Sequence, residues 1–91
     1  MQMYQFKKML ELMPSEPNVP GIIVNAIDKK VEKEVTTLLS ETKYPFVTVL
    51  ENDEEEVSTQ KIVDGFVKKI GVGDMDWLTC HCMHLRLRGD E

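Results

Sequence analysis

PGIIVNAIDKKVEKEVTTLLSET, residues 20–42, is the stretch on which the fold turns. Its apolar residues Val24, Ile27, Val31, Val35 and Leu38 fall three and four apart, with Ile23 and Leu39 beside them. That spacing stacks side chains on one face of a helix. Lys29, Lys30, Glu32, Lys33 and Glu34 fall mostly outside the stripe. The unbroken period predicts a single amphipathic helix from Pro20 to Thr42. A rival reading takes GIIVN (21–25) as a short buried strand, with Asn25 capping a helix from Ala26. It gives a βαβαβ order and a parallel sheet. Strand propensity is the weaker guide, so the single helix is the expectation.

Upstream, Met3, Phe6, Leu10 and Met13 sit at helical spacing with Met9 adjacent. A short helix is expected there, stopping before Pro14, because the residue preceding a proline resists helical geometry. Its methionines form either core or an adaptable partner-binding face. PSEPNV (14–19) is a proline-stiffened loop, and Asn18 is a candidate helix N-cap.

Downstream, YPFVTVL (44–50) carries apolar groups on both faces and reads as a covered strand. ENDEEE (51–56) holds five carboxylates in six residues. Read structurally, it is a solvated lead-in to a helix, and Asp53 and Glu56 have capping-box spacing. Read functionally, it is a cation loop or an acidic contact; with no glycine it fails as an EF-hand loop. Residues 57–70 read as a helix striped by Ile62, Val63, Phe66, Val67 and Ile70 and stopped by Gly71. Gly65 in its interior costs about 1 kcal/mol relative to alanine. From Met75 the pattern alternates, which predicts one long strand to Arg88, with Gly89, Asp90 and Glu91 frayed. Strand, helix and strand over 44–88 suit a parallel βαβ crossover. The exposed sheet edge invites cover from a second chain.

Ninety-one residues make one domain, over 1–91. Carboxylates outnumber Lys and Arg 16 to 11, giving a net charge of −5. This disfavours general nucleic-acid binding and suits a basic partner surface. No apolar run approaches the roughly 20 residues of a membrane span. The first thirteen residues lack the order of a secretory signal, so the expected location is cytoplasmic.

The one reactive cluster is Cys80-His81-Cys82 with His84. On an extended strand, Cys80 and Cys82 lie roughly 6.5 Å apart with parallel side chains. That is poor disulfide geometry. Cys80 and His84 lie about 13 Å apart and His81 points away, so one strand cannot wrap a tetrahedral metal. No metal and no cofactor is expected. A cysteine nucleophile with a histidine base needs the two to converge, and neighbours on a strand point apart. No phosphate-cradling loop is present, because Gly71-Val72-Gly73 follows a helix instead of opening one.

The fold class expected is α+β: two N-terminal helices followed by a β-α-β unit with a small sheet. The alternative is a βαβαβ α/β arrangement with a short strand at 21–25. The function expected is that of a small acidic non-enzymatic protein-binding or regulatory protein. It would act as an inhibitor of a larger partner, of the kind mobile elements encode. Glu51, Asp53, Glu54, Glu55 and Glu56 are its candidate electrostatic contact, and Trp77 and Arg86 its candidate anchors. The partner expected is a larger protein with a basic surface, without direct nucleic-acid or membrane binding, and a homodimer through the C-terminal strand is a further expectation. The alternative function is a metal- or redox-responsive module built on Cys80, Cys82 and His84.

Overall fold

The computed structural model describes residues 1–89. The expected fraying of the tail therefore lies, for Asp90 and Glu91, outside the described residues. In chain order the elements are α1 (Met3–Leu12), β1 (Ile22–Ala26), α2 (Lys29–Ser40), β2 (Phe46–Leu50), α3 (Glu55–Ile70), α4 (Met75–His81) and β3 (Met83–Leu87). The strands form a parallel sheet in the order β2-β1-β3. Helices around a small sheet place the chain in the mixed α+β class expected from sequence. Among the described residues, no helix is long and apolar enough to cross a membrane.

The single helix expected over 20–42 is corrected: the stretch divides into β1 and α2, as in the rival reading. Ile22, Ile23, Val24 and Ala26 are all buried. Successive helix positions point about 100° apart, so a helix lying on a surface cannot bury such a run. A central strand flanked on both faces can. The helical period is real only from Val31, where Val31, Val35 and Leu39 are buried. Ile27, counted in the stripe, is 40% exposed. Neither Asn18 nor Asn25 is the cap of α2. Asp28 is, its carboxylate accepting from Val31 N at 2.9 Å.

Alternation along β1 sorts its side chains between two apolar layers. Ile22, Val24 and Ala26 face α1 and α2, in a cluster with Met3, Phe6, Val35 and Leu39. Ile23 faces α3 and α4, with Val47, Val49, Ile62, Phe66 and Leu78. Each fully buried Ile, Leu or Phe contributes roughly 1.5–3 kcal/mol, and both layers draw on this one strand. Lys7 and Glu34, 3.3 Å apart, link α1 to α2. Buried Tyr44 holds the proline loop: its hydroxyl lies 3.3 Å from Pro14 O, Glu16 O and Asn18 Oδ1.

The long strand expected over 75–88 is likewise corrected, into α4 and β3. Asp74 caps α4 by accepting from Asp76 N and Trp77 N. Met75, Leu78 and Cys82 pack in the α3-side layer. Their spacing of three and four is helical, and it coexisted with the alternating pattern. The capping box expected at Asp53 is also absent. Glu54 is the N-cap of α3 and makes no side-chain cap bond. Gly71 does end α3, at φ 75°, with its N–H on Phe66 O and Val67 O.

The edges of the sheet are partly covered. On β2, the Lys69 ammonium donates to Phe46 O and lies 4.1 Å from the centre of the Phe46 ring. Leu50 N donates to Asp53 at 3.3 Å. On β3, Met1 N donates to Arg86 O and Arg88 N to Met1 O, beside a parallel bridge between Gln2 and Arg88. The strand expected to offer a dimer edge thus carries the N-terminal segment over its last part.

Gly65 brings α3 close to β2: a Cβ there would lie 2.5 Å from Val47 Cγ2. Helix propensity alone has Gly65→Ala stabilising the fold by about 1 kcal/mol. Valine has little rotamer freedom, so the expected outcome is instead a loss of about 1–3 kcal/mol in urea unfolding. A gain in stability would contradict this packing.

Candidate functional site

Among the described residues, two surfaces combine a cavity with groups suited to recognition. The first lies at the carboxyl ends of the strands. In parallel sheets these ends face the same way, and the loops beyond them are the usual place for ligands. Here they hold the acidic run. Glu51 pairs with Arg86, joining the end of β2 to β3 across β1. Asp53 accepts from Lys61 at 2.6 Å. That bond holds the Asp53 carboxyl below its ordinary range, burial opposes it, and the Leu50 N–H adds a smaller lowering. Glu54, Glu55 and Glu56 stand exposed at the start of α3 and enter no ion pair among the described residues. So the five expected contact carboxylates divide. Two are held within the fold and three face solvent.

Beneath this rim, on the α3 side of the sheet, is a cavity of about 330 Å³. It exists because α4 covers that face only at the start of β3, where Cys82 is buried. Farther along, His84 and Arg86 are exposed. Ile23, Val49 and Ile62 give the cavity apolar walls, and Asn25, Ser58, His84 and Arg86 give it polar ones. Asn25 is not among the site residues expected from sequence, where its position suggests a helix cap. The available signal was one polar residue in an apolar run, which matters once that run is a central strand.

The second surface is the outer face of α1. Tyr4, Gln5, Lys8, Met9 and Leu12 line a concavity of about 610 Å³. Tyr4 is 61% exposed and Leu12 79%. Positions 4, 8 and 12 form one row of the helix and 5 and 9 the next, while Met3 and Phe6 point inward.

The remaining candidates do not gather. Trp77, 36% exposed, stacks on His81 with ring centres 4.5 Å apart. It sits on α4, which leads into the amino end of β3, whereas Arg86 is near the carboxyl end. The two expected anchors therefore belong to different parts of the surface. Cys80 is exposed on α4, Cys82 is buried, and both are free thiols. Among the described residues, no group of three or more His, Cys, Asp or Glu is placed to hold a metal ion. Burial raises the Cys82 pKa, keeping the thiol protonated and a poor nucleophile.

Set against protein-family models, curated proteins and solved structures, the chain shows no match.

Native thiol labelling should reflect this placement. Cys80 is expected to react at least about tenfold faster than Cys82, and the difference to vanish in denaturant. Equal rates in the native protein would contradict the burial of Cys82.

Proposed function

We propose that this chain is a small non-enzymatic regulatory protein that acts in the cytoplasm by binding a larger protein. The observation that carries the reading is the outer face of α1, where Tyr4 and Leu12 stand largely exposed around an apolar concavity. Contiguous apolar surface on a small domain favours association, since burying it releases about 25 cal/mol per Å². The exposed carboxylates Glu54, Glu55 and Glu56 support a partner with a basic surface, because such charges steer encounter and reject wrong partners. Trp77 and Arg86 supply side chains of the types that dominate interface energetics. A regulator working by occupancy needs only such a face, and inhibition of the partner is the corresponding mode of action.

The test is capture from lysate by the wild type and two surface variants, all with matched thermal melts. Leu12→Glu places a charge in the apolar face and should cut capture of the main partner by about tenfold or more. Joint Glu54→Lys, Glu55→Lys and Glu56→Lys should weaken it and remove its salt dependence. Capture unchanged in both variants, or no partner captured by the wild type, would contradict the proposal.

A further inference from the structure

The cavity beneath the acidic rim has chemistry that the α1 face does not require. Asn25 stands in the central strand of the sheet, level with Val49 on one side and Arg86 on the other. Its Oδ1 is buried with no hydrogen-bond partner. The side chains of Ser58 and His84, which line the same cavity, likewise make no hydrogen bond among the described residues. A buried carbonyl oxygen left without a donor weakens a fold, so an apolar residue at position 25 would serve stability better. Polar groups left unused around a cavity with apolar walls are the pattern of a ligand site.

Two constraints narrow the ligand. The orphan atom is an acceptor, so whatever satisfies it must bring an N–H or O–H. A carboxylate brings neither. The second constraint is charge. Arg86 is the fixed cation of the lining and is already paired with Glu51, and no carboxylate lines the cavity. An ion set against Ile23, Val49 and Ile62 would lose its water with no free counter-charge to replace it, whereas a neutral molecule loses far less.

Asn25 carries its own N–H donors beside Oδ1, and rotation about χ2 is soft in asparagine, so the amide edge can turn toward the cavity. The complement of that edge is another of the same kind, a donor and an acceptor side by side. We infer that this cavity binds a small neutral planar molecule with an amide-type edge. Its N–H goes to Asn25 Oδ1, its neighbouring acceptor takes an N–H from Asn25, and its flat body lies against Ile23, Val49 and Ile62. Ser58 and His84 serve any further polar atom of the ligand. The volume, about 330 Å³, is near the lower end for ligand cavities and suits a compact molecule. Carboxamides and adenine-type bases both present such an edge.

The experiment is a titration of the isotope-labelled full chain, following the backbone signals of Ser58 and His84 and the side-chain N–H signals of Asn25. The probes are benzamide, adenine, N,N-dimethylbenzamide, benzoate and benzylammonium. Benzamide should give saturating shifts with a Kd of about 1 mM or tighter. N,N-dimethylbenzamide keeps the acceptor but has no donor, and the two ions carry a charge that the cavity does not balance. All three should bind at least about tenfold more weakly than benzamide. Adenine binding comparable to benzamide would support the site and name a nucleobase as its source; adenine binding much more weakly would support a simple carboxamide. Asn25→Val should weaken benzamide by about tenfold or more yet keep or raise the melting temperature, which a structural role for Asn25 would not allow. Arg86→Gln should leave benzamide binding within about twofold, because the ligand brings no charge for Arg86 to meet. The inference is overturned by any of five results: no saturable shift with benzamide or adenine, equal binding of N,N-dimethylbenzamide, equal binding of either ion, unchanged binding or a lowered melting temperature in Asn25→Val, or loss of benzamide binding in Arg86→Gln. None of these depends on whether α1 captures a protein.

Discussion

The structure depends on the burial of β1 on every side. Its two edges pair with β2 and β3, and its two faces are covered by α1 with α2 and by α3 with α4. A strand so placed has ladder partners along both edges, with Ile22, Val24 and Ala26 in one apolar layer and Ile23 in the other. Parallel neighbours then require long connections, because a parallel strand cannot be reached by a tight turn. Those connections are α2 on one face and α3 with α4 on the other. The same five residues thus dictate how many helices the chain needs and where they go.

This constraint also locates the recognition surfaces. Covering both faces with a short chain leaves two gaps. The seven residues of α4 close only the start of β3, so the sheet lies open near Asn25, His84 and Arg86. On the opposite face, α1 packs with Met3 and Phe6 inward and leaves Tyr4 and Leu12 outward. The acidic run stands at the carboxyl end because β2 must turn there into α3. Carboxylates at the start of a helix are electrostatically favoured as well. Its partial neutralisation has two sources: Arg86 on β3 pairs with Glu51, and Lys61 on α3 pairs with Asp53.

The sequence carried much of this architecture, and its two misreadings share a cause. In 20–42 the stripe Val24, Ile27, Val31, Val35 and Leu38 runs on through residues that are apolar for a different reason: Val24 and its neighbours lie in a strand covered on both faces. In 75–88 the alternation of β3 was extended backwards through Trp77, where Met75, Leu78 and Cys82 keep helical spacing. In both cases one period was carried across a boundary that capping residues mark, Asp28 for α2 and Asp74 for α4. α1, β2 and the end of α3 at Gly71 were legible because a single pattern and a breaker agreed there. The cavity was illegible for a different reason. Asn25, Ser58 and Arg86 come from three elements, and only the strand order brings them together. Trp77 and Arg86, both expected anchors, stand on different elements, α4 and β3, which a reading of 75–88 as one strand does not distinguish.

The placement of β1 between β2 and β3 is tested most directly by amide and alpha-proton Overhauser contacts in the labelled protein. Val24 should show contacts to the neighbourhoods of both Thr48 and Leu85, its partners in the two parallel ladders. Contacts from Val24 to residues three and four positions away in sequence, with none to either segment, would mean a helix at 22–26 and would contradict the account.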